Sequence, residues 1–249
     1  MTPWLTVIGI GDDGLAGLGA EARALIAGAE LLVGGERHLA MVPETAAPRL
    51  TWAGGIAEAA AEIARWRGRA VVVLATGDPM WFGGGANLAR RFDPAEMRVL
   101  THPGAFSLAA AKMVWSLADV ATLTVHGRPL ATLQRSIQPG ARLLILSRDG
   151  TTPGEVAELL RWRGFGPSTI TVLEHLGGPH ERVITGTADG WAHPPCADLN
   201  TLAVECRAGT AARLLPATPG LPDDVFETDG QMTKHAVRVL TIAALAPLP

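Results

Sequence analysis

Residues 74–85 read LATGDPMWFGGG, and the fold prediction starts from this stretch. The apolar run VVVL at 71–74 leads into it, and four glycines and one proline then follow within positions 77–85. A short continuous apolar run that ends in such residues is typical of a parallel strand covered on both faces. Ligands of open α/β sheets lie beyond the carboxyl ends of such strands, so this loop is the first candidate binding site.

The same alternation extends to both sides of this loop. Short apolar runs predict strands at 5–10, 31–33, 49–52, 70–75 and 99–101, and helical patterns lie between them at 21–27, 56–67 and 86–92. Strands that alternate with helices predict the α/β class. We therefore expect a first α/β lobe over residues 1–116.

The pattern changes after about residue 116. Strands are predicted at 123–125, 142–146, 170–174, 182–187 and 201–206, with a single helix at 152–163. The last three strands follow one another without a helix, and this predicts a mixed sheet with antiparallel strands. We therefore expect a second α/β lobe over residues 117–206.

The remaining segment, residues 207–249, differs from both lobes. The stretch RAGTAARLLPATPGLPDD is rich in proline and alanine and indicates a linker, and a helical pattern follows at 233–245. Two interpretations stay open. The helix either docks on the second lobe or begins a further domain.

Composition limits the classes of protein that this chain can belong to. Apolar residues make up 48% of the 249 residues and charged residues 18%, which is ample for a core. A net charge of −3 without a basic stripe disfavours nucleic-acid binding. The start MTPWLTVIGI lacks a basic n-region, no apolar run reaches the ~18 residues of a membrane span, and there are only two cysteines. These features predict a soluble, cytoplasmic protein.

A glycine motif directly follows the first predicted strand. VIGIGDDG fits G-x-G-x-x-G at Gly9, Gly11 and Gly14, the fingerprint of a dinucleotide site, and Glu36 is a candidate ribose-binding acid. Two features oppose it. The glycine-rich continuation disfavours a helix that opens at Gly14, and Asp12 and Asp13 add negative charge where a pyrophosphate would lie. An oxidoreductase that uses NAD(P) or FAD remains the alternative function.

The loop at 77–85 suggests a different ligand. No lysine follows its glycines, so the pattern of a nucleoside triphosphate site is absent. Backbone amides flanked by apolar side chains suit an uncharged aromatic ring and a ribose. The alternative is a tight turn before a helix, with Met80 and Trp81 in the core.

Three further loops follow predicted strands. They are THPGAFSLAAAKM at 101–113, TVHGRP at 124–129 and ILSRDGTTP at 145–153. None of them is diagnostic by itself. Several glycine-containing loops at strand ends are, however, what a ligand cleft requires.

Taken in order, these motifs resemble the tetrapyrrole methylase family. The resemblance rests on VIGIG, ATGDPMWFGGG, HPGAFSLAAAKM, VHGRP and SRDGT, and it covers about residues 4–206. It implies a two-lobed class III methyltransferase fold that binds S-adenosylmethionine between its α/β lobes. GLGAEARALIAGAELLVGGERHL and LEHLGGPHERVITGTA are similar to the CbiE-type branch. One departure is Asp12, where many relatives carry proline.

The CbiE-type resemblance implies methylation of a precorrin at carbon 5 in cobalamin biosynthesis. The tail DDVFETDGQMTKHAVRVLTIAALAPLP resembles the opening of a CbiT-type domain, to which methylation at carbon 15 and decarboxylation belong. We therefore expect the N-terminal part of a two-domain enzyme that transfers the carbon-5 methyl group. A homodimer is expected from the family, and no metal is expected. A non-catalytic half that needs its partner domain is a further alternative.

The resemblance also assigns the cofactor site. It implies contacts on both sides of the cleft, from Gly77, Asp78, Met80, Gly83, Pro103, Phe106, Ser107, Leu146, Ser147 and Leu176. The methyl group of a sulfonium is already activated, so alignment and exclusion of water are expected to matter more than acid–base chemistry.

The acidic chain must bind a substrate that carries several carboxylates, so we expect cations to be concentrated in the cleft. The substrate-binding candidates are Gly9, Gly11, Arg37, His38, Arg128 and Arg148. The candidates that would accept the departing proton are His38, His126 and Asp12.

Overall fold

The computed structural model describes residues 3–52, 54–216 and 220–246, and it contains two five-stranded sheets. The first sheet has the order β3-β2-β4-β1-β5, and each of its strand pairs is parallel. Its strands are β1 (Leu5–Ile10), β2 (Leu31–Gly34), β3 (Arg49–Thr51), β4 (Val71–Thr76) and β5 (Met97–Leu100). The predicted α/β lobe with a parallel sheet is confirmed.

Four helices cover this sheet: α1 (Ala20–Ala27), α2 (Glu36–Ala40), α3 (Ile56–Ala64) and α4 (Gly84–Leu88). The side chains of β1 alternate between two apolar clusters. Val7 packs with Ile63 of α3 on one face, and Ile8 packs with Ile26 of α1 on the other. Every residue of β1 is buried, which is why the strand sequence is apolar throughout.

The second sheet has the order β6-β7-β10-β8-β9. Its strands are β6 (Ala121–Thr124), β7 (Arg142–Leu146), β8 (Thr169–Glu174), β9 (Arg182–Thr187) and β10 (Asn200–Glu205). Only β6 and β7 are parallel, and the other three pairs are antiparallel. Helix α6 (Thr152–Trp162) packs on this sheet through Val156, Ala157 and Leu160. The predicted mixed sheet is confirmed.

Helix α5 (Ala105–Met113) connects the two sheets and packs on the second one. Phe106 and Ala109 share an apolar cluster with Leu144 of β7 and Ala203 of β10. The helix precedes the expected lobe boundary at 116/117 in sequence. Its contacts nevertheless join it to the second sheet, because its apolar face packs against β7 and β10.

Several predicted bounds differ from the structure. The helix predicted at 56–67 ends at Ala64, and the one predicted at 86–92 spans Gly84–Leu88. The five-residue helix α2 was not predicted, because a single turn is too short to show a helical period.

The C-terminal segment is fixed to the second lobe at its beginning. The buried Arg163 donates hydrogen bonds to the backbone oxygens of Arg213 and Gln134. Helix α7 (His235–Leu245) follows, and none of its residues is buried. It packs instead on residues 220–226, where Arg238 pairs with Asp223. The assignment of residues 207–249 to a linker and the start of a further domain stays a prediction.

Within the described ranges, no helix is both long and apolar enough to cross a membrane.

Candidate functional site

The facing edges of the two sheets form a narrow cleft. The carboxyl ends of β1, β4 and β5 approach the end of β8 and the start of β10 across a cavity of about 40 Å³. Its lining residues are Gly11, Asp12, Arg37, Thr76, Gly77, Pro103, Ala105, Leu108, Leu173, Leu176, Leu199, Asn200 and Thr201. Six of them were predicted as site residues: Gly11, Asp12, Arg37, Gly77, Pro103 and Leu176.

A larger open groove of about 410 Å³ lies at the opposite edge of the second sheet. It is lined by Asp119, Gly140, Ala141, Arg142, Glu205, Cys206 and Arg207. None of the predicted loops reaches it. We therefore place the candidate site in the narrower cleft, where the strand-end loops converge.

The glycines of the cleft are explained by contacts between the loops themselves. A Cβ on Gly9 would lie 2.0 Å from the backbone oxygen of Gly77, and a Cβ on Gly77 would lie 2.8 Å from Cα of Gly104. Gly77 also has a φ of +57°. A Cβ on Gly83 would lie 2.6 Å from the oxygen of Pro79. The close packing of neighbouring loops therefore accounts for these glycines.

The side chains of the 77–85 loop are exposed beside the cleft. Asp78 fixes the turn by accepting a hydrogen bond from the backbone N–H of Met80. Met80, Trp81 and Phe82 are 45%, 55% and 45% exposed, so the alternative that Met80 and Trp81 form core is wrong. Trp81 and Phe82 both make edge-on contacts with Phe106 of α5.

A cation of the second lobe reaches this aromatic surface. The guanidinium of Arg128 lies 5.3 Å from the ring centre of Phe82. Phe82 has a φ of +55°, a left-handed conformation that costs a non-glycine residue free energy. We call Met80, Trp81, Phe82 and Arg128 the aromatic platform.

Arg37 occupies the first-lobe side of the cavity. It follows β2 in the first turn of α2, and its Nη1 donates to Oδ1 of Asp12 over 2.8 Å. Its Nη2 lies 3.2 Å from Nε2 of His38 and 3.3 Å from Oγ1 of Thr76. The structure therefore brings three of the predicted residues, Asp12, Arg37 and His38, into one hydrogen-bonded group.

His38 is buried under this group. Burial, and secondly the charge of Arg37, lower its pKa from the usual 6.5 to about 4. Nε2 of His38 lies 2.9 Å from Oγ1 of Thr76 as well as 3.2 Å from Nη2 of Arg37, and Nδ1 has no partner among the described residues. The imidazole is thus neutral at pH 7 and a weak base.

The other two candidates for proton transfer have different surroundings. Both carboxylate oxygens of Asp12 accept hydrogen bonds, one from Arg37 and one from Nδ1 of His175 over 2.9 Å. His126 is exposed on the second lobe and does not line the cavity.

Buried polar side chains form the second-lobe side of the cleft. Ser147 Oγ donates to Oδ1 of Asn200 over 2.6 Å, and Nδ2 of Asn200 donates to the backbone oxygen of Ala197 over 2.7 Å. Sequence reasoning missed Asn200 and its neighbours Leu199 and Thr201. The sequence does place an asparagine at the start of an apolar strand. This pattern points to the site only when the structure shows that β10 begins at the cleft.

Some predicted residues lie away from the cavity. Arg148 is on the surface, where it pairs with Asp149 and with Glu155 over 2.6 Å, so its charge is already compensated. Leu146 and Phe106 belong to the apolar cluster beneath the cleft. Ser107 is exposed on α5.

The turn after β1 does not have the geometry of a dinucleotide site. Gly14 begins a short 3₁₀ helix, and α1 begins only at Ala20. The carboxylate of Asp13 covers the turn, so a Cβ on Gly11 would lie 2.5 Å from its Oδ1. No helix N-terminus therefore faces a pyrophosphate at the third glycine.

Two α/β lobes whose strand ends face each other across a loop-lined cleft define a two-lobed ligand-binding fold. Residues 4–191 match the family of Tetrapyrrole (Corrin/Porphyrin) Methylases. The chain therefore belongs to the tetrapyrrole methylase family, as the motifs predicted. This membership overturns the oxidoreductase alternative.

The relatives of this chain are methyltransferases. It is 49% identical over 256 residues to precorrin-6Y C(5,15)-methyltransferase [decarboxylating] of Sinorhizobium sp., a match that covers 99% of this chain and 60% of the relative. It is 31% identical over 179 residues to cobalt-precorrin-7 C(5)-methyltransferase of Salmonella typhimurium, covering 72% and 88%. The chain thus spans about three fifths of the longer relative.

The fold has a counterpart among solved structures. The cobalamin biosynthesis precorrin-6Y methylase (CbiE) of Archaeoglobus fulgidus superposes with a TM-score of 0.61 and 25% identity. The superposition covers 82% of this chain and 98% of that one. The two lobes described above are therefore shared with a CbiE-type structure.

Proposed function

We propose that this chain is an S-adenosylmethionine-dependent methyltransferase that methylates a precorrin at carbon 5 in cobalamin biosynthesis. The observation that carries the proposal is the match to a C(5)-methyltransferase over 88% of that relative's length. The longer relative adds a further region, to which we assign methylation at carbon 15 and decarboxylation.

The chemistry of the cleft supports a nucleoside ligand. Leu108, Leu173 and Leu176 offer apolar surface for an adenine, while Thr76 and Asn200 offer hydroxyl and amide groups for polar atoms. The cavity is nevertheless about 40 Å³, well below the ~300–1,000 Å³ of ligand pockets. Binding therefore requires that the loops across the cleft separate.

We retain the cofactor residues implied by the family as proposals: Gly77, Asp78, Met80, Gly83, Pro103, Phe106, Ser107, Leu146, Ser147 and Leu176. S-adenosylmethionine supplies a methyl group that its sulfonium already activates. The chain itself supplies alignment and a site from which water is excluded. Ser147 and Asn200 are suited to this because their mutual hydrogen bond fixes both side chains.

The aromatic platform supports a flat, acidic substrate. Trp81 and Phe82 present exposed rings beside the cleft, and Arg128 lies over one of them without a carboxylate partner among the described residues. Aromatic faces stack on planar conjugated rings, and guanidinium groups bind carboxylates. We propose that a tetrapyrrole lies on this platform, with Arg37 and Arg128 holding carboxylates.

Among the predicted proton acceptors, we favour His38. It is neutral at pH 7 and its Nδ1 has no partner among the described residues, whereas both oxygens of Asp12 already accept hydrogen bonds. Its low basicity is compatible with a reaction in which proton loss follows the transfer of the methyl group.

We further propose that the protein acts in the cytoplasm, as a homodimer, fused to or associated with a CbiT-type domain. The support is the relative in which the matched region makes up 60% of a longer protein. The cytoplasmic location and the dimer rest on the family resemblance alone.

Calorimetric titration of the 249-residue chain with S-adenosylhomocysteine tests the cofactor assignment. We expect a dissociation constant in the micromolar range and no heat with NADH. Leu176→Arg would place a long cation in the cavity and abolish the heat. Leu214→Arg, at a position that is 55% exposed, is the matched control and should bind as the unmodified chain does.

Turnover tests the reaction itself. The chain is supplied with S-adenosylmethionine and a precorrin that is already methylated at carbon 15 and decarboxylated. We expect a mass gain of one methyl group. Binding of S-adenosylhomocysteine without any mass gain would favour the non-catalytic alternative.

A further inference from the structure

One carboxylate joins the two lobes across the cleft. Asp12 extends from the turn after β1 in the first lobe, and its Oδ1 accepts from Nη1 of Arg37 in the same lobe. Its Oδ2 lies 2.9 Å from Nδ1 of His175, which directly follows β8 in the second lobe. The side chain of Asp12 is only 11% exposed, so both contacts are largely shielded from water. We call Arg37, Asp12 and His175 the clasp.

The segment that begins at His175 is shaped around Asp12. Residues 175–181, HLGGPHE, connect β8 to β9, and His175 has a left-handed φ of +49°. A Cβ on Gly178 would lie 2.3 Å from Oδ2 of Asp12, so only glycine fits against the carboxylate. The backbone N–H of Gly178 donates to the oxygen of His175, which closes a turn around the contact.

A second tether holds the far end of this 175–181 loop. Glu181 pairs with Lys112 of α5 over 2.5 Å and accepts a hydrogen bond from the N–H of Gly177 over 2.8 Å. The first tether thus runs to the turn after β1, and the second runs to helix α5, which packs on the second sheet. Among the described residues, the hydrogen bonds that link this loop to Arg37 run through the clasp.

Two residues of the clasp, and the neighbour of the third, line the cavity. Asp12 and Arg37 line it from the first lobe, and Leu176 of the loop lines it from the second. When the loop lies against Asp12, the carboxylate is fixed, and Arg37 is fixed with it. A guanidinium held by a carboxylate keeps part of its donor fork free for a second anion, because it has five N–H donors.

We propose that Asp12 and His175 are positioning residues that couple closure of the 175–181 loop to the orientation of Arg37. Arg37 presents its free donors to a substrate carboxylate when the loop is closed, and it loses that orientation when the loop opens to admit ligands. This inference rests on the proposed function for the identity of the substrate. The coupling itself is a property of the chain without ligands.

Hydrogen exchange on the ligand-free chain tests the coupling directly. His175→Phe keeps a ring but removes the donor, and Asp12→Asn keeps the shape but removes the charge. We expect each to raise amide exchange both in residues 175–181 and in α2 by about 10-fold, the factor of one charge-assisted hydrogen bond. The double variant should show no larger effect than the greater single one.

Lys112→Met is the matched control, because it releases the other end of the same loop. We expect faster exchange in residues 175–181 and unchanged exchange in α2. If His175→Phe likewise leaves α2 unchanged, the loop and Arg37 are not coupled and the proposal is overturned.

Steady-state kinetics distinguish a positioning role of His175 from a purely structural one. His175→Phe should raise KM for the tetrapyrrole about 10-fold while kcat changes less than about 2-fold, and Lys112→Met should leave KM unchanged. An equal fall in kcat with constant KM would contradict the positioning role. Should the unmodified chain fail to bind S-adenosylhomocysteine, the proposed function fails, whereas the exchange experiment still decides the clasp.

Discussion

The two sides of the cleft are built in different ways. On the first lobe, the backbones of neighbouring loops are in direct contact, and a Cβ on Gly9 or Gly77 would clash with the next loop. On the second lobe, the buried side chains of Ser147 and Asn200 bridge the strand ends by hydrogen bonds. A parallel sheet brings all its carboxyl ends to one edge, so successive loops crowd there. In the mixed sheet some strands begin at that edge, and polar side chains satisfy the backbone between them.

The largest loss of stability should come from adding one methyl group to the first-lobe side of the cleft, where the loops are crowded. Gly9→Ala places a Cβ 2.0 Å from the oxygen of Gly77 and 2.8 Å from the N of His102, both of them backbone atoms. We expect the free energy of unfolding to fall by about 4 kcal/mol, measured by urea denaturation. Gly154→Ala in α6 meets no atom within 4 Å and should be neutral or stabilising by up to ~1 kcal/mol. Equal stabilities for the two variants would refute loop crowding.

The next effect concerns the pH dependence of stability that we expect from the buried His38 of the first lobe. Because the pKa of His38 is lowered from 6.5 to about 4, the unfolded chain binds this proton more readily than the folded one. The contribution to stability is therefore full above about pH 6.5 and is lost as the pH falls towards 4, by about 3 kcal/mol. His38→Asn should flatten the fall in unfolding free energy over this range. Parallel pH curves for the two proteins would show that His38 is not the group responsible.

The smallest effect should come from the hydrogen-bonded side. Asn200→Ala leaves the Ser147 hydroxyl and the backbone oxygen of Ala197 without their partner, and we expect a loss of about 2 kcal/mol in unfolding free energy. Ser107→Ala, an exposed serine, should change it by less than about 0.5 kcal/mol. A loss as large as that of Gly9→Ala would mean that the two edges do not differ as described.

Much of the architecture could be predicted from the periodicity of apolar residues and from the glycine and proline residues that end the predicted elements. Strands β1, β7 and β9 occur at the predicted bounds, and the mixed second sheet followed from three strands without a helix between them. The single-turn helix α2 could not be predicted, although it carries Arg37 and His38. The placement of α5 on the second sheet also depended on a surface that no local pattern reveals.

Part of the site was predictable because loop motifs mark it. The turn at 9–14 and the loop at 77–85 drew attention to Gly11, Asp12 and Gly77, which line the cavity. Arg148 had an equally suggestive motif, but its carboxylate neighbours Asp149 and Glu155 compensate its charge on the surface. Whether Arg148 is compensated depends on the rotamer of its side chain and on the position of Glu155 in the first turn of α6. Neither can be derived from the spacing of residues in the sequence.

By itself, the sequence determined the α/β class, the two lobes and the family, because buried strands and glycine turns are local requirements that leave local patterns. Only the tertiary structure decided what the glycines are for and which polar groups share the cleft. Asp12 and His175 are 163 positions apart, and their contact exists because the two sheets present their edges to each other. Such a contact depends on the relative placement of the lobes, and no window of sequence contains it.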